Sequence, residues 1–315
     1  MLDIHEMQIF LAAAETGSFS EAGRRLQVSQ PAISMQIRAL EKRLNVELFH
    51  RSGRHITLSE IGHALVPLAR DLVNHSTHVS EAIASLKGQI TGTLKLACST
   101  TAGKYILPRI IAGFVDEYPL VQVTCQVGSR GSAVAMLQDK EAQIAITSLR
   151  EPSRELHYCQ FMTDSVVLIA SPDHMWAKNG GVHPDDLHEG RFIHRELNSG
   201  TQQTLIQELT RHDMSIHDLS AVMVLGNSEA ISMAVAERIG VAFISRCAAG
   251  SMIESGRVVE VPVHGLEMSQ QLYMVRLVNS MLPSAPSAFW DYVYAPENRD
   301  LLVPSWLDGE LMLST

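Results

Sequence analysis

Two groups of polar side chains in this 315-residue sequence are spaced so that chemistry is expected of them. In the first, Gln30, Pro31, Ser34, Met35, Gln36 and Arg38 fall on the outward side of a predicted helix whose inner side carries Ile33, Ile37 and Leu40. Short amides, hydroxyls and a guanidinium presented by a helix suit the base edges and phosphates of a major groove. Further on, Arg51 and Arg54 flank Gly53 at a basic tip, where they would hold phosphates or enter a minor groove. In the second group, hydroxyls and amides recur where predicted strands end and helices begin. They are Ser99, Thr100 and Thr101, then Thr147 and Ser148, then Asn198, Ser199 and Thr201, and finally Asn227. Arg130 follows Gly128 and Ser129 at another strand end, and Lys104 and Arg130 are the candidate counter-charges. In open α/β lobes a ligand meets the carboxyl ends of strands, and the free N–H groups of a helix start favour anions. Ser, Thr and Asn are also the commonest caps, so each position alone is as well explained by capping. Their convergence on one cleft is what points to binding.

No catalytic apparatus competes with this reading. The sequence has no G-x-S-x-G, G-x-G-x-x-G, Walker A or H-E-x-x-H pattern, so no catalytic residue, metal ligand or cofactor is assigned and no enzyme is expected. His174, His183, His188 and His194 are irregularly spaced among Pro and Gly and read as exposed loop positions. His75 and His78 lack a carboxylate or Cys partner for a metal. Cys98, Cys125, Cys159 and Cys247 form no C-x-x-C and read as reduced thiols, with Cys98 at the edge of the cleft the one to watch for redox chemistry.

The elements that must position the first group are two short helices joined by a turn. Ser18 and Glu21 make an S-x-x-E capping box that starts a helix at Phe19, and Ser29 caps a second helix with Pro31 in its first turn. Phe19, Ala22, Leu26, Val28, Ile33, Ile37 and Leu40 fall where crossing helices bury them. Met7, Phe10, Leu11 and Ala14 give an earlier helix to pack behind, and the stretch 47–58 reads as a hairpin wing. From Arg24 to Arg54 seven bases face two acids, a surplus of five positive charges in a chain of net charge -9. A basic island in an acidic protein is the electrostatic footprint of a nucleic-acid site.

The run SQPAISMQIRALEKRLNVELFHRSGRHITLSEIG resembles the N-terminal signature of LysR-type transcriptional regulators, with its S-Q-P-A-I-S, L-E, L-F-x-R and L-[ST]-x-x-G in order. Gly23, where a second Ala is usual, and Met35 depart from the pattern. The second half is similar to the effector-binding domain of the same family, through TTAGKYILPRIIAGFVDEYPLVQV, SPDHMWA, NSGTQQ and NSEAISMAVAERIGVAFIS. There Lys140-Glu141-Ala142-Gln143 replaces the usual G-x-x-D, and Arg238 stands where a Gly is usual. The resemblance covers about residues 5–295. It implies a winged helix-turn-helix, a long linker helix and a two-lobed α/β effector domain of the periplasmic-binding-protein type. It also implies double-stranded promoter DNA and a small-molecule effector as partners, a homodimer paired through the linker helix, and a tetramer that bends its site. RNA polymerase is a candidate further partner.

The domains expected are a DNA-binding domain over 1–58, a linker helix over 59–88, an effector domain over 89–295 and an extension over 296–315. Lobe I is expected at about 93–162 and 268–295, and lobe II at about 163–267. The linker pattern Ile61, Leu65, Leu68, Leu72, His75, Val79, Ala82 and Leu86 alternates steps of four and three, as a pairing seam does. In the effector domain, strands are expected at 93–98, 121–127, 143–147, 166–170, 221–225, 241–245 and 271–275. Helices are expected at 104–118, 132–139, 201–212, 228–238 and 284–294, and the alternation predicts a mostly parallel sheet. Trp306, Leu307, Leu311 and Met312 make the extension apolar enough to pack on a subunit. A hydrophobic content of 46% with 19% charged residues describes a globular protein. The absence of a membrane span, of a basic leader and of paired cysteines places it in the cytoplasm. An anionic metabolite is the expected effector. The alternatives are a redox or metal sensor on the same DNA reader, and a solute-binding protein, which the attached DNA reader disfavours.

Overall fold

A computed structural model of the protein describes residues 3–52, 55–87, 89–278 and 282–301. The chain divides into two compact units, 1–92 and 93–315. In the first, α1 (Ile4–Thr16), α2 (Phe19–Leu26) and α3 (Gln30–Leu44) precede a hairpin of β1 (Phe49–Ser52) and β2 (His55–Leu58), and α4 (Glu60–Leu86) follows. Phe10, Phe19, Ala22, Ile33, Ile37, Leu40, Leu48 and Phe49 form one core, with Phe19 edge-on to Phe49. Ser18 caps α2 by accepting from the Glu21 N–H, but the reciprocal half of the expected box is missing, because Glu21 pairs with Arg24 instead. A complete box sits one helix earlier, where Asp3 and Glu6 exchange bonds at the start of α1. Gly23 is small for a definite reason: a Cβ there would lie 2.7 Å from the Val28 carbonyl oxygen. That carbonyl belongs to the α2–α3 turn, which the Val28 N–H closes onto Gly23 O at 2.9 Å. Gly62 is constrained the same way, its Cβ position lying 2.3 Å from Leu48 O.

The second unit runs β3 (Gly92–Ser99), a π-helical turn (Ala102–Ile106), α5 (Leu107–Glu117), β4 (Val121–Gly128), α6 (Arg130–Gln138) and β5 (Ile144–Thr147). Then come β6 (Leu156–Ala170), α7 (Met175–Lys178), β7 (Arg191–Arg195), α8 (Gly200–Arg211), β8 (Ser220–Leu225), α9 (Ser228–Ala236) and β9 (Ala242–Ser245). The chain closes with α10 (Arg246–Glu254), β10 (Val259–Val261), β11 (Met268–Leu277) and α11 (Ser284–Tyr294). Seven strands order as β10-β6-β11-β5-β3-β4 with β9 also on β6, and β7 pairs β8 apart from them.

Two expectations are corrected here. The sheet is not mostly parallel: β3 and β5 are parallel, but β11 is antiparallel to both β5 and β6, and β9 and β10 are antiparallel to β6. The strand that breaks the expected pattern is β11, which comes late in the chain and inserts between β5 and β6 against the direction of both. The strand expected at 166–170 is fifteen residues long and begins at Leu156. Its length is what joins the lobes, because β6 runs beside β11 from Leu156↔Leu277 to Val166↔Met268, with a bulge between Leu272 and Tyr273. On the lobe I side, Ala97, Val134, Leu137, Ala145 and Val275 pack together. Phe114 stacks edge-on against Phe289 on the other face of that lobe. In lobe II, Leu168, Phe192, Leu205 and Phe243 make one cluster and Ile169, Ile193, Ile231 and Ile244 another.

Candidate functional site

On α3, Ile33, Ile37 and Leu40 are buried, and the opposite side presents Gln30, Pro31, Met35 and Arg38 to solvent. Met35 is 67% exposed, an unusual cost for a thioether on a free surface and one that an apolar contact would remove. Ser34 and Gln36 are half-buried on the two flanks of that face. Not all of the basic island is available to a ligand. Arg24 pairs with Glu21, Arg25 with Glu15 and Arg43 with Glu6 inside the unit. Arg38 and Lys42 make no ion pair among the described residues and remain as the free cations of α3. The Arg43 guanidinium holds the Glu6 carboxyl below its ordinary value. Glu41 turns inward and accepts from the backbone N–H groups of Leu48 and Phe49 at 2.9 and 3.2 Å, which fixes the root of the wing. Arg51 sits on β1 opposite Ile56, and Arg54 lies outside the described residues.

The second unit contains a cleft of about 400 Å³, including the space open to solvent, between the ends of β3, β4 and β5 and the start of α8. Ser99, Thr100, Thr101, Ser129, Arg130, Ser148, Asn198, Ser199 and Thr201 all line it, as the spacing predicts. Thr147 and Asn227 do not. The Thr147 side chain is fully buried, donating to Arg130 O and accepting from the Leu149 N–H, so it shapes the turn behind the cleft. Asn227 caps α9 through the N–H groups of Glu229 and Ala230. Lys104 is also withdrawn, paired with Glu229 at 2.9 Å.

What remains in the cleft is a set of donors without partners. The hydroxyls of Ser99, Thr101, Ser148, Ser199 and Thr201 make no hydrogen bond to the described residues, although Thr201 is only 2% exposed. Ser199 occupies the N-cap of α8 with extended backbone angles, yet its side chain caps nothing. The first N–H groups of that twelve-residue helix therefore stay free to meet an anion. Arg130 adds the positive charge, its Nε donating to Asn198 O at 3.1 Å across the cleft, and burial lowers its pKa.

Sequence reasoning missed Arg195, Glu196 and Gln270, which also line the cleft. Arg195 is buried at the end of β7, forked onto Glu196 at 2.8 and 2.9 Å and donating to Ser228 Oγ at 2.6 Å. The alternation R-F-I-H-R is the sequence signal for this strand, and it corrects the expectation of His194 as an exposed loop residue. His194 is in fact buried within β7, stacked on Phe192, and burial lowers its pKa. His174 caps α7, and His188 Nδ1 bonds Asp185 O. Among the described residues no three His, Cys, Asp or Glu side chains converge on a point, and no helix is long and apolar enough to cross a membrane. Beside the cleft, Cys98 Sγ lies 3.4 Å from Cys125 Sγ on the neighbouring strand.

Comparison with known proteins accords with both halves. Residues 4–63 match the family model of the bacterial regulatory helix-turn-helix protein, lysR family, and residues 87–295 match the LysR substrate binding domain. An HTH-type transcriptional regulator of Methanocaldococcus jannaschii is 30% identical over 92% of this chain and 98% of its own. The CcmR regulatory domain of Synechocystis, solved in complex with 2-PG, is 26% identical with a TM-score of 0.59, over 64% of this chain and 96% of that one. Full-length CbnR, solved with its target DNA, shares the fold with a TM-score of 0.66 at 19% identity, over 93% of this chain and 99% of that one. The chain belongs to the LysR family of transcription regulators, DNA-binding proteins with a C-terminal effector-binding domain.

Proposed function

We propose that α3 reads promoter DNA in the major groove through Gln30, Pro31, Ser34, Met35, Gln36 and Arg38, that Arg51 and Arg54 of the wing hold the backbone, and that a small anionic metabolite in the cleft controls this binding. The observation that carries the effector reading is the uncapped start of α8, ringed by hydroxyls with no partner and faced by Arg130. The hydroxyls face the open cleft, and none is committed to a partner among the described residues, so all can turn to one ligand. The 2-PG bound by the CcmR regulatory domain adds support for an anion. Melting of the full chain against a panel of anions tests the reading. One that binds the folded state raises Tm with concentration, and Thr201→Val abolishes the rise. A panel without effect removes the anion from the account.

On the DNA side, Arg38→Ala weakens binding to all sequences and lowers the salt slope by about one unit. An unchanged slope takes Arg38 off the phosphate. Pairing of two chains falls to α4, whose Ile61, Leu68, Leu72, Val79, Ile83 and Leu86 lie exposed along one seam. A tetramer built through the effector domains, a bent site, contact with RNA polymerase and action in the cytoplasm complete this reading.

The 3.4 Å approach of Cys98 and Cys125 favours a second reading, a redox sensor. The Cys98 thiol donates to Cys125 and holds that exposed group below its ordinary value, while the same bond and burial push Cys98 up. Cys125 thiolate would attack a peroxide oxygen, releasing water and leaving a sulfenic acid. Cys98 then displaces the second oxygen as water, and two electrons pass from the thiols to the peroxide as the disulfide forms. Peroxide treatment should cost the chain two hydrogens by mass, reversibly with dithiothreitol and not in Cys125→Ser. A reduced pair under oxidant excludes the switch.

A further inference from the structure

One buried amide in the cleft has its two ends told apart by the protein. Gln270 stands opposite Asp164 in the β6–β11 ladder, and its Nε2 donates to Asp164 Oδ2 at 2.7 Å. Asp164 is fully buried, and its other oxygen accepts from the Cys247 N–H at 3.3 Å. The Ser245 hydroxyl and the Cys247 thiol also bond it. Burial raises the Asp164 carboxyl above its ordinary value, while the bonds from Ser245, Gln270 and Cys247 favour its charged form. With the Cys247 N–H on one oxygen and the Gln270 amide on the other, it acts as the acceptor and holds that amide with NH2 inward and Oε1 outward. That oxygen lies 2.8 Å from the position of a Cβ on Gly200, with Ser148 Oγ 2.4 Å from the same point. Glycine at the first position of α8 therefore leaves open a volume that any other residue would fill. No donor among the described residues reaches Gln270 Oε1, although Gln270 is only 6% exposed.

We propose that the effector carries a hydroxyl beside its anionic group, that Gln270 Oε1 accepts a hydrogen bond from it, and that Asp164 is the positioning residue that fixes which end of the amide faces the ligand. This rests on the anion reading of the cleft. Ser148 can donate or accept and so does not discriminate, whereas Gln270 presents one polarity only. An ammonium group is also a donor, but Arg130, whose charge no carboxylate among the described residues pairs, faces the same cleft and would repel it. A hydroxylated carboxylate or phosphate satisfies the hydroxyl ring, the α8 N-terminus and Gln270 together.

Calorimetric titration of the full chain with matched pairs tests this: malate against succinate, glycerate against propionate, with inorganic phosphate as the bare anion. The hydroxylated member of a pair is expected to bind about tenfold tighter or more, as sites built to bond a hydroxyl reject analogues lacking it. Gln270→Leu closes that gap by weakening the hydroxylated member while leaving its partner unchanged. The double variant Asp164→Asn, Gln270→Leu repeats the test without a buried carboxylate lacking its donor. Equal binding within each pair leaves the anion reading standing and overturns the hydroxyl. A gap that survives both variants overturns the assignment to Gln270. Binding of none of the five ions removes the anion reading itself.

Discussion

Two cations decide what the cleft accepts, and they differ in what their loss would do. Arg195 is buried and holds Glu196 and Ser228, so its charge is already balanced within the protein. Among the described residues the Arg130 side chain bonds only the Asn198 carbonyl, so its charge is left unpaired by any carboxylate. Arg130→Gln should leave Tm near that of the parent and weaken anion binding about tenfold or more, because charge-assisted bonds are roughly twice as strong as neutral ones. Unchanged affinity would show that the helix terminus does the binding unaided. In the DNA-binding unit, Glu6 titrates below its ordinary 4.5 because Arg43 bonds it. Its depressed pKa contributes stability above pH 4.5, which is lost as the pH falls through the folded value. Glu6→Gln should flatten the acid side of that unit's stability profile, and a profile of unchanged steepness would contradict the linkage. The hydroxyls of the cleft were legible because they sit at strand ends. Arg195 was not, because no strand was expected over β7, and Gln270 was not, because it lies inside β11 and only the tertiary fold turns it toward the cleft.

At the scale of elements, left-handed backbone marks where this chain departs from its family's pattern. Lys140 and Arg238 stand where glycine is usual, at φ 57° and 63°. Lys140 follows α6 in the position a helix-terminating glycine favours, its N–H bonded to Leu137 O. Left-handed backbone costs a side chain about 1–2 kcal/mol, and the flexibility of glycine returns about half of that. Lys140→Gly should therefore stabilise the second unit by about 0.5–1 kcal/mol, a rise of about 2–4 °C in its melting. A fall would show that the lysine side chain holds the loop. At the other end of that stretch, Gln143 Oε1 accepts from the Lys95 N–H at 2.8 Å. Helix starts were readable from Ser18 and Ser29, which cap as expected, whereas Ser129 and Asn227, expected at the cleft, also act as caps. Strand direction was not, because periodicity says which residues are buried and says nothing about which way a neighbour runs. The length of β6 stayed hidden for a related reason: its first ten residues mix polar and apolar positions without regular alternation.

At the scale of the whole molecule, the chain carries two units that fold around separate cores. The apolar seam of α4 is the surface left over after the first core is satisfied. Its inner side, with Leu65, Val66, Ala69 and Val73, packs on that core, while Leu68 and Leu86 are 65% and 89% exposed. Leu68→Glu with Val79→Glu should shift the full chain toward monomer in sedimentation and weaken DNA binding, since a half-site alone loses the partner's contacts. A chain whose mass in solution is unmoved would place pairing elsewhere. Of the extension, Pro296–Leu301 form a 3-10 helix, and Trp306, Leu307, Leu311 and Met312 lie outside the described residues. The central claim is that an anion is held at the start of α8. Hydrogen exchange of the full chain, with and without saturating malate or phosphate, reads that most directly. The account predicts slowed exchange at the N–H groups of Gly200, Thr201 and Gln202 and at the turn before α6, lost in Thr201→Val. Protection confined to other parts of the chain, or none at saturating anion, would contradict it.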